Sequence, residues 1–204
     1  MIAVIIALAN AIVADANVGG FFADSDRSWG DRAGRLYDRI GIGRGEVRYD
    51  AVWGVGLRWE PFDGIEFGAA YRRLAGEVAA GGPEFRQVHQ THVEAALVDI
   101  RLVHRVDSVF LGLEAAPGLW RTDVRAHGHL GGGHASKTVG GVDVASLFGV
   151  SIGPVELSLR LGHVWFDLPA LPETYYAVGG PGGGWVLGVG FGFRHRFGGD
   201  TPAK

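Results

Sequence analysis

The last part of the chain alternates between two kinds of side chain with a period of two. From Trp185 to Phe197, every second position is large and apolar or aromatic, with His195 as the exception, and the positions between hold glycine, valine or arginine. Successive side chains of a β-strand point to opposite faces, so the pattern predicts a strand with one apolar face and one face of small or cationic side chains. A small barrel that crosses a membrane needs this arrangement, because lipid surrounds it and its narrow lumen is polar.

Composition limits the possible classes of protein. The 204 residues suit a single all-β barrel, and 19 basic against 22 acidic residues give no argument for nucleic-acid binding. Cysteine is absent, which excludes disulfides and thiolate metal sites. Every basic residue except Lys137 and Lys204 is an arginine, whose planar fork suits enclosed ion pairs. The composition therefore favours charge inside the fold.

The N-terminal stretch resembles a targeting segment. Residues 2–13 are apolar and are followed by Ala14-Asp15-Ala16, which predicts a secretory signal peptide over 1–16 and cleavage before Asn17. No Lys or Arg precedes the apolar run, and the alternative is a short buried strand or helix. The run is too short for a transmembrane helix, and no other stretch is long enough, so any membrane crossing must use strands. We therefore divide the chain into a signal peptide at 1–16, a barrel at 17–197 and a tail at 198–204.

Eight extended segments are predicted along the chain. They cover 18–24 (the weakest), 48–60, 65–74, 91–104, 109–125, 141–152, 155–166 and 184–197. Most reach the ~9–11 residues that a tilted strand needs to cross a bilayer. Tight turns at 61–64, 106–107 and 153–154 alternate with long polar or glycine-rich segments, as in outer-membrane barrels. An even number of strands places both ends of the chain on the short-turn side.

Aromatic spacing indicates which face is outside. Tyr49 and Trp59 share a face and lie ten residues apart, about 25 Å along the membrane normal at the usual strand tilt. That distance matches two aromatic girdles. The predicted girdle residues are Tyr49, Trp59, Tyr71, Trp165, Trp185 and Phe197.

The opposite face carries small residues and charges of both signs. Arginine facing hydrocarbon costs ~2–4 kcal/mol at the midplane, so these groups should pair across the lumen. The predicted ion-pair network contains Asp50, Arg58, Glu60, Glu66, Arg72, Asp99, Arg101, Glu114, Asp143, Glu156, Arg160, Arg194 and Arg196. The alternative is a soluble, lipocalin-like barrel with these charges in solvent, but an eight-stranded interior has little room for several Trp and Phe side chains.

Two charged positions do not fit strict alternation. Glu94 shares parity with apolar neighbours, which places it near a rim or beside a β-bulge. Glu114 and Arg121 can both face inward only if a bulge intervenes, and Pro117-Gly118 is the natural place for one.

Over residues 17–197 the chain resembles the small outer-membrane β-barrel superfamily, the OmpA-type transmembrane domain and OmpX-like proteins. The resemblance rests on amphipathic strands, alternating loop lengths and a final strand that ends in Phe197. It implies an all-β, eight-stranded antiparallel up-and-down transmembrane β-barrel in a Gram-negative outer membrane. It also implies contact with outer-membrane lipid and lipopolysaccharide, and a terminal strand read by the barrel assembly machinery. His195 and the tail after Phe197 depart from that signal. We expect a monomer.

The expected role is non-enzymatic: cell-envelope structure or surface interaction through four long extracellular loops. Candidate loop aromatics are Trp29, Tyr37, Tyr175 and Tyr176. The first loop is basic and suits lipid A phosphates, although Asp26, Asp31 and Asp38 are interleaved and favour a merely solvated loop. Its arginines are Arg27, Arg32, Arg35, Arg39 and Arg44.

Two other functional classes remain open. A lipid A deacylase resembling the PagL type would use His163 on the apolar face, but Trp165 stands where the nucleophile should be. His134 and Ser136 repeat the spacing in a loop. A narrow, porin-like channel conflicts with a lumen only wide enough for side chains.

A metal site is also conceivable on the spacing of histidines in one glycine-rich stretch. His127, His129 and His134 could ligate a transition metal, but no carboxylate or thiolate completes a closed set. We therefore expect no metal and no cofactor.

Overall fold

A computed structural model describes residues 10–24, 35, 37–39, 41–42, 46–82, 85–129, 131–169 and 180–197. Almost all of them lie in nine antiparallel strands. These are β1 (Ala11–Ala23), β2 (Glu46–Tyr49), β3 (Val52–Phe62), β4 (Ile65–Gly82), β5 (Phe85–Val106), β6 (Val109–Gly128), β7 (Gly133–Ile152), β8 (Val155–Leu168) and β9 (Gly180–Arg196). Within the described ranges, no helix has the length and apolarity to cross a membrane.

Eight of the strands close into a ring. Each strand from β3 to β8 pairs with the next one in the chain, and β1 closes the ring by pairing with both β3 and β9. β2 pairs only with β4 and continues the line of β3 after a break at residues 50–51. The predicted eight-stranded antiparallel barrel is confirmed, with β2 and β3 acting as one interrupted strand.

The closing strand begins earlier than the sequence analysis placed it. Ala11 pairs with Glu60 on one side and Arg196 on the other, and the pairing continues past Asn17 without a register shift. The predicted cleavage point before Asn17 therefore falls in the middle of β1. Residues 11–16 fit a strand because Ala11, Val13 and Asp15 face inward while the residues between face outward. The existence of a signal peptide stays a prediction, and its boundary conflicts with this strand.

The middle strands extend well beyond their predicted ends. β4, β5, β6 and β7 have 18, 22, 20 and 20 residues, against the ~9–11 that cross a bilayer. Most of the predicted loops at 75–90 and 126–140 is strand. We call the barrel end with the tight turns at 63–64, 107–108 and 153–154 the turn side, and the opposite end the loop side. Most of the predicted loop at 25–47 and most of the one at 167–183 lie outside the described residues.

The outer face is apolar over a broad band. Trp53, Leu57, Leu113, Leu187 and Phe191 all point away from the lumen and are 39–61% exposed. A continuous exposed surface of this kind is suited to lipid and not to water. This result fixes inside and outside as the aromatic spacing indicated.

Five of the six predicted girdle residues have their side chains on the outer face. Tyr71 packs against Trp53 with ring centroids 5.4 Å apart, and Trp59 packs against Phe67. Trp165, Trp185 and Phe197 also point outward. Tyr49 differs: it packs edge-on against the buried Phe21 at 5.2 Å. The break at residues 50–51 adds one residue between the inward positions Tyr49 and Val52, so parity is not conserved across it.

The interior has two layers. The turn-side half holds charged side chains, as predicted, but the loop-side half is filled by an apolar cluster. In that cluster Trp120 stacks on Phe166 with centroids 5.3 Å apart and planes 12° apart. Its larger members are Phe21, Tyr37, Val52, Leu74, Val78, Val93, Trp120, Val124, Val164, Phe166, Leu168 and Val186. The expectation of a polar lumen therefore holds for only part of the barrel.

We predict that residues 11–16 are required for folding. A chain that starts at Asn17 loses six residues that pair with both β3 and β9, together with the Asp15 carboxylate, whereas a chain that starts at Asn10 keeps all of them. We expect only the longer chain to refold in detergent micelles, measured as heat-modifiable mobility on a gel. Equal refolding of the two chains would show that these residues are dispensable.

Candidate functional site

The charged layer of the lumen is a connected network of ion pairs. Its arginines are Arg58, Arg72, Arg101, Arg105, Arg160 and Arg194, and its acids are Asp15, Glu60, Glu66, Asp99, Glu114, Asp143 and Glu156. Each of these residues contacts an opposite charge contributed by another strand. Because strand pairing fixes the backbone, the guanidinium and carboxylate groups are held near one another by the barrel itself and do not depend on the conformation of a loop.

Glu114 on β6 is the centre of the network. Its carboxylate oxygens lie 3.0 Å from Arg72, 2.5 Å from Arg101 and 2.9 Å from Arg160. Arg160 also contacts Asp143 at 2.5 Å. One buried carboxylate therefore ties together β4, β5, β6 and β8, and Asp143 adds β7.

Arg58 on β3 is the most enclosed cation. Its guanidinium contacts Asp15, Asp99 at 2.6 Å and Glu66 at 3.2 Å, and its side chain is fully buried. It lies across Gly68 of β4, where an added Cβ would come within 2.6 Å of Arg58 Cγ. The glycines of the inner face thus provide the space in which the arginines lie.

A second group of charges is closer to the turn side. Arg194 contacts Glu60, Glu66 and, at 2.7 Å, Glu156. Arg105 reaches Glu66 at 3.0 Å and Glu156 at 3.2 Å. These pairs join the last strand to β3, β4, β5 and β8, and so hold the closing seam of the ring.

Little space remains between the two layers. Arg72, Asp143 and Arg160 from the charged layer and Leu74 and Trp120 from the apolar layer border a cavity of about 10 Å³. Such a volume holds one water molecule at most. The lumen is filled at this level.

Two predicted network residues are elsewhere. Asp50 is exposed at the break between β2 and β3, where its N–H donates to the Ala75 carbonyl. Arg196 is exposed at the turn-side rim, next to the end of β1. Asp50 was misplaced because alternation was extended through the break, and Arg196 because parity alone does not tell the lumen from its mouth.

The sequence analysis missed two network residues. Asp15 was assigned to the signal peptide, and Arg105 lies one residue beyond the predicted end of its strand. Both keep the inward parity of their strands, and this was the signal that could have found them.

The expected bulge in β6 is absent. The pairing of β6 with β7 keeps one register from Val109 to Ala126, through Pro117-Gly118. Glu114 therefore faces the lumen and Arg121 faces outward. Glu94 faces outward too, directly opposite Arg121.

Beyond the apolar band, the outer wall of β4, β5 and β6 is charged. His134 contacts Asp123 at 2.7 Å, and Arg125 donates to the same carboxylate at 3.1 Å. Desolvation raises the pKa of Asp123, but the hydrogen bonds and charges of His134 and Arg125 together outweigh it, so the pKa is lowered overall. His127 and His129 border a different part of the wall with Arg86, so the three histidines considered as metal ligands are not gathered at one point.

His163 has a partner that the sequence did not reveal. On the outer face its Nε2 lies 2.7 Å from an Asp24 carboxylate oxygen. The ring is buried between Trp165 and Trp185, with centroid distances of 4.1 and 5.0 Å. The pair supplies a base and a group that orients it, but Trp165 still occupies the position of a nucleophile.

The loop-side interior holds one buried imidazole. His89 on β5 is 1% exposed, and its Nε2 has no hydrogen-bond partner among the described residues. Loss of hydration lowers the pKa of His89 to about 4 because burial disfavours the charged form. This side chain is seven residues beyond Ala96, where the continuous apolar band on the outer face of β5 ends, and so lies outside the membrane-spanning segment.

The fold matches solved barrels, whereas no protein-family model and no curated protein sequence matches the chain. The N-terminal β-barrel domain of Pseudomonas aeruginosa OprF superposes with a TM-score of 0.51 at 12% identity, over 92% of this chain and 98% of that one. Neisserial surface protein A gives a TM-score of 0.46 at 14% identity, over 92% and 96%. Ail of Yersinia pestis, solved with a heparin analogue, gives 0.46 at 11%, over 90% and 97%. The chain has the fold of the small outer-membrane β-barrels.

We predict that Arg58→Met destabilises the barrel strongly. The change leaves the Asp15, Glu66 and Asp99 carboxylates with one cation fewer, and breaking a buried pair on one side costs about 3–5 kcal/mol. The free energy of unfolding, measured by urea titration in lipid vesicles, should fall by that amount. Arg196→Met, at the exposed rim, is the matched control and should change it by less than about 0.5 kcal/mol. Equal effects of the two variants would contradict a stabilising network.

We predict that acid loosens the loop-side half through His89. The pKa of this imidazole is about 4 in the closed state and near 6.5 once hydrated. The open state therefore binds the proton first, and stability is lost as pH falls from about 6.5 to 4, by up to about 3 kcal/mol. Amide hydrogen exchange on β5 and β6 should report this loss. His89→Gln should remove the pH dependence in this window; its persistence in the variant would assign the effect to another group.

Proposed function

We propose that this chain is a closed, non-enzymatic barrel of the bacterial outer membrane, with a role in envelope structure or surface interaction carried by its loop side. The observation that supports it best is the filled interior. Ion pairs occupy one half of the lumen and apolar side chains the other. The apolar outer band supports placement in a bilayer, and the outer membrane is where barrels of this class are found.

A filled lumen argues against steady conduction. A passing ion would have to separate contacts such as Arg160–Asp143 at 2.5 Å and Arg58–Asp99 at 2.6 Å. It would then meet the apolar cluster around the stacked rings of Trp120 and Phe166, which fills the lumen beyond the ion pairs. The two obstacles lie in series, so opening either one alone leaves the other in place.

An enzymatic role has one observation in its favour and one against it. The Asp24–His163 pair has the geometry of an oriented general base at the outer face. Among the described residues, no hydroxyl or thiol is hydrogen-bonded to this imidazole. An oriented base without a nucleophile or an oxyanion site does not carry acyl transfer, so we assign the pair a structural role: it ties the end of β1 to β8.

The partners follow from placement in the membrane. Phe197 and the alternating apolar residues before it suit recognition by the barrel assembly machinery. The long β4–β7 extensions raise a polar wall beyond the apolar band, where the sugars and phosphates of lipopolysaccharide would surround it. This wall, and not the lumen, offers the larger surface for contact.

The experiment is to assay one set of proteoliposomes for both rival activities. We expect no discrete conductance steps in planar bilayers, because both layers of the lumen are filled. We also expect no acyl chain released from lipid A or phospholipid, measured by mass spectrometry, because His163 lacks a nucleophile.

Two variants serve as controls. Trp120→Ala opens the apolar layer alone and should remain non-conducting, because the ion-pair layer persists. His163→Ala should match the parent chain in the lipid assay. Conductance steps in the parent chain would establish a channel. Acyl release that disappears in His163→Ala would establish an enzyme.

A further inference from the structure

The outer wall changes character abruptly along three neighbouring strands. On β4 the outward side chain after Tyr71 is Arg73, and on β6 the one after Leu119 is Arg121. On β5, which lies between them, the outward residue beyond Ala96 is Glu94. Strand pairing places Arg73 opposite Glu94 and Glu94 opposite Arg121. The first row of side chains beyond the apolar band is therefore Arg–Glu–Arg.

The two arginines of this row have no ion pair within the described part of the chain. The Glu94 carboxylate is close to the Tyr71 hydroxyl. Asp123, the next acid on the wall, is held by His134 at 2.7 Å and Arg125 at 3.1 Å. Asp123 is already engaged and Glu94 is a single carboxylate between two arginines, so Arg73 and Arg121 retain guanidinium donors that face outward. In the lumen, by contrast, every arginine of the network is paired.

These residues enclose a shallow groove. Its lining consists of Arg73, His92, Glu94, Arg121, Asp123 and Arg125, and its volume is about 360 Å³. We call it the outer-wall groove. Three arginines against two acids leave it cationic, and it opens away from the barrel.

The position of the groove suggests what it contacts. Arg73 is two residues past Tyr71, about 7 Å along the strand and about 5 Å along the membrane normal at the usual tilt. That is the depth at which lipid headgroups begin above the acyl chains. Arginine at this depth keeps its stem against the apolar band and its guanidinium among the headgroups.

We propose that the outer-wall groove binds the phosphate of a membrane lipid headgroup, with Arg73 and Arg121 as the main donors. Guanidinium binds phosphate through paired, charge-assisted hydrogen bonds. A soluble polyanion fits less well, because it would gain nothing from the adjoining apolar band, whereas a lipid fills both surfaces at once. The inference rests on the proposed membrane placement and names a partner for the outer wall within it.

The test is a lipid titration of the full-length protein in detergent micelles. The probes are bisphosphorylated lipid A, the same lipid A after phosphatase treatment, phosphatidylglycerol and inorganic phosphate, with binding followed by calorimetry. We expect the double variant Arg73→Gln/Arg121→Gln to lose about tenfold or more in affinity for the phosphorylated lipid, since each arginine near an anionic lipid surface contributes several-fold. Arg196→Gln removes the same charge at the opposite rim and should bind like the parent.

The lipid arms identify the source of the phosphate. Loss of binding on phosphatase treatment, with weak binding of phosphatidylglycerol, assigns the groove to lipid A; equal binding of phosphatidylglycerol assigns it to glycerophospholipid. Inorganic phosphate that competes as well as the lipids would overturn the membrane source. Unchanged affinity of the double variant, or of lipid A without phosphate, would overturn the site.

Folding of the double variant is checked by heat-modifiable mobility. If the double variant does not fold, the proposal is tested by the salt dependence of lipid A binding to the parent chain. An affinity for lipid phosphate that depends on two guanidinium groups must fall as ionic strength rises. A parent chain that binds equally at low and high salt would contradict the proposal. These outcomes are independent of conductance and acyl release, so failure of the groove and failure of the proposed function are distinguishable.

Discussion

The structure depends on the pairing of buried charges of opposite sign in a narrow ring. A charge taken from water into a protein interior costs several kcal/mol unless an opposite charge and further hydrogen bonds meet it. Here each arginine of the lumen meets carboxylates from other strands, and Glu114 alone receives three arginines. Slipping one strand by a single residue would turn its charges toward lipid. The ion pairs therefore specify register as well as filling the lumen.

The closing strand shows how compensation and topology are linked. β1 joins the ring to itself, and its Asp15 contacts both Arg58 of β3 and Arg101 of β5. Without this carboxylate, Arg58 would keep only Glu66 and Asp99 as partners, and Arg101 would keep only Asp99 and Glu114. The seam between first and last strands is thus held by backbone pairing and by charge, which agrees with the truncation and Arg58→Met predictions.

Much of the fold could be predicted from sequence because period-two alternation is unambiguous where the two faces differ most. From Trp185 to Phe193 large apolar residues alternate with glycine or valine, and the structure places them outside and inside as expected. The prediction of the lumen was less complete. Asp50 and Tyr49 were placed wrongly because a break at residues 50–51 changes parity without any glycine or proline to mark it.

The loop-side halves of the central strands could not be predicted for another reason. Beyond the apolar band most outward residues become polar, while many inward ones, above all on β4 and β6, become apolar, so the contrast between the two faces reverses near Tyr71 and Leu119. A prediction based on apolar residues facing outward therefore finds no strand in these segments. The same reversal defines the outer-wall groove. The pairing of His163 with Asp24 could not be predicted either, because the two residues are 139 positions apart in the sequence.

The reversal of polarity along the barrel also indicates where contact with other molecules takes place. Near the turn side, the wall is apolar and the lumen charged, as a bilayer requires. Towards the loop side, the interior is an apolar cluster with a few buried polar side chains and the wall is charged, as in a protein surrounded by water and headgroups. A lumen that is filled in both halves offers little exposed surface, so the wall and the loops are the surfaces available for contact with other molecules. Arg73 and Arg121 lie where the two regimes meet, and there an unpaired guanidinium can reach a lipid phosphate without leaving the barrel surface.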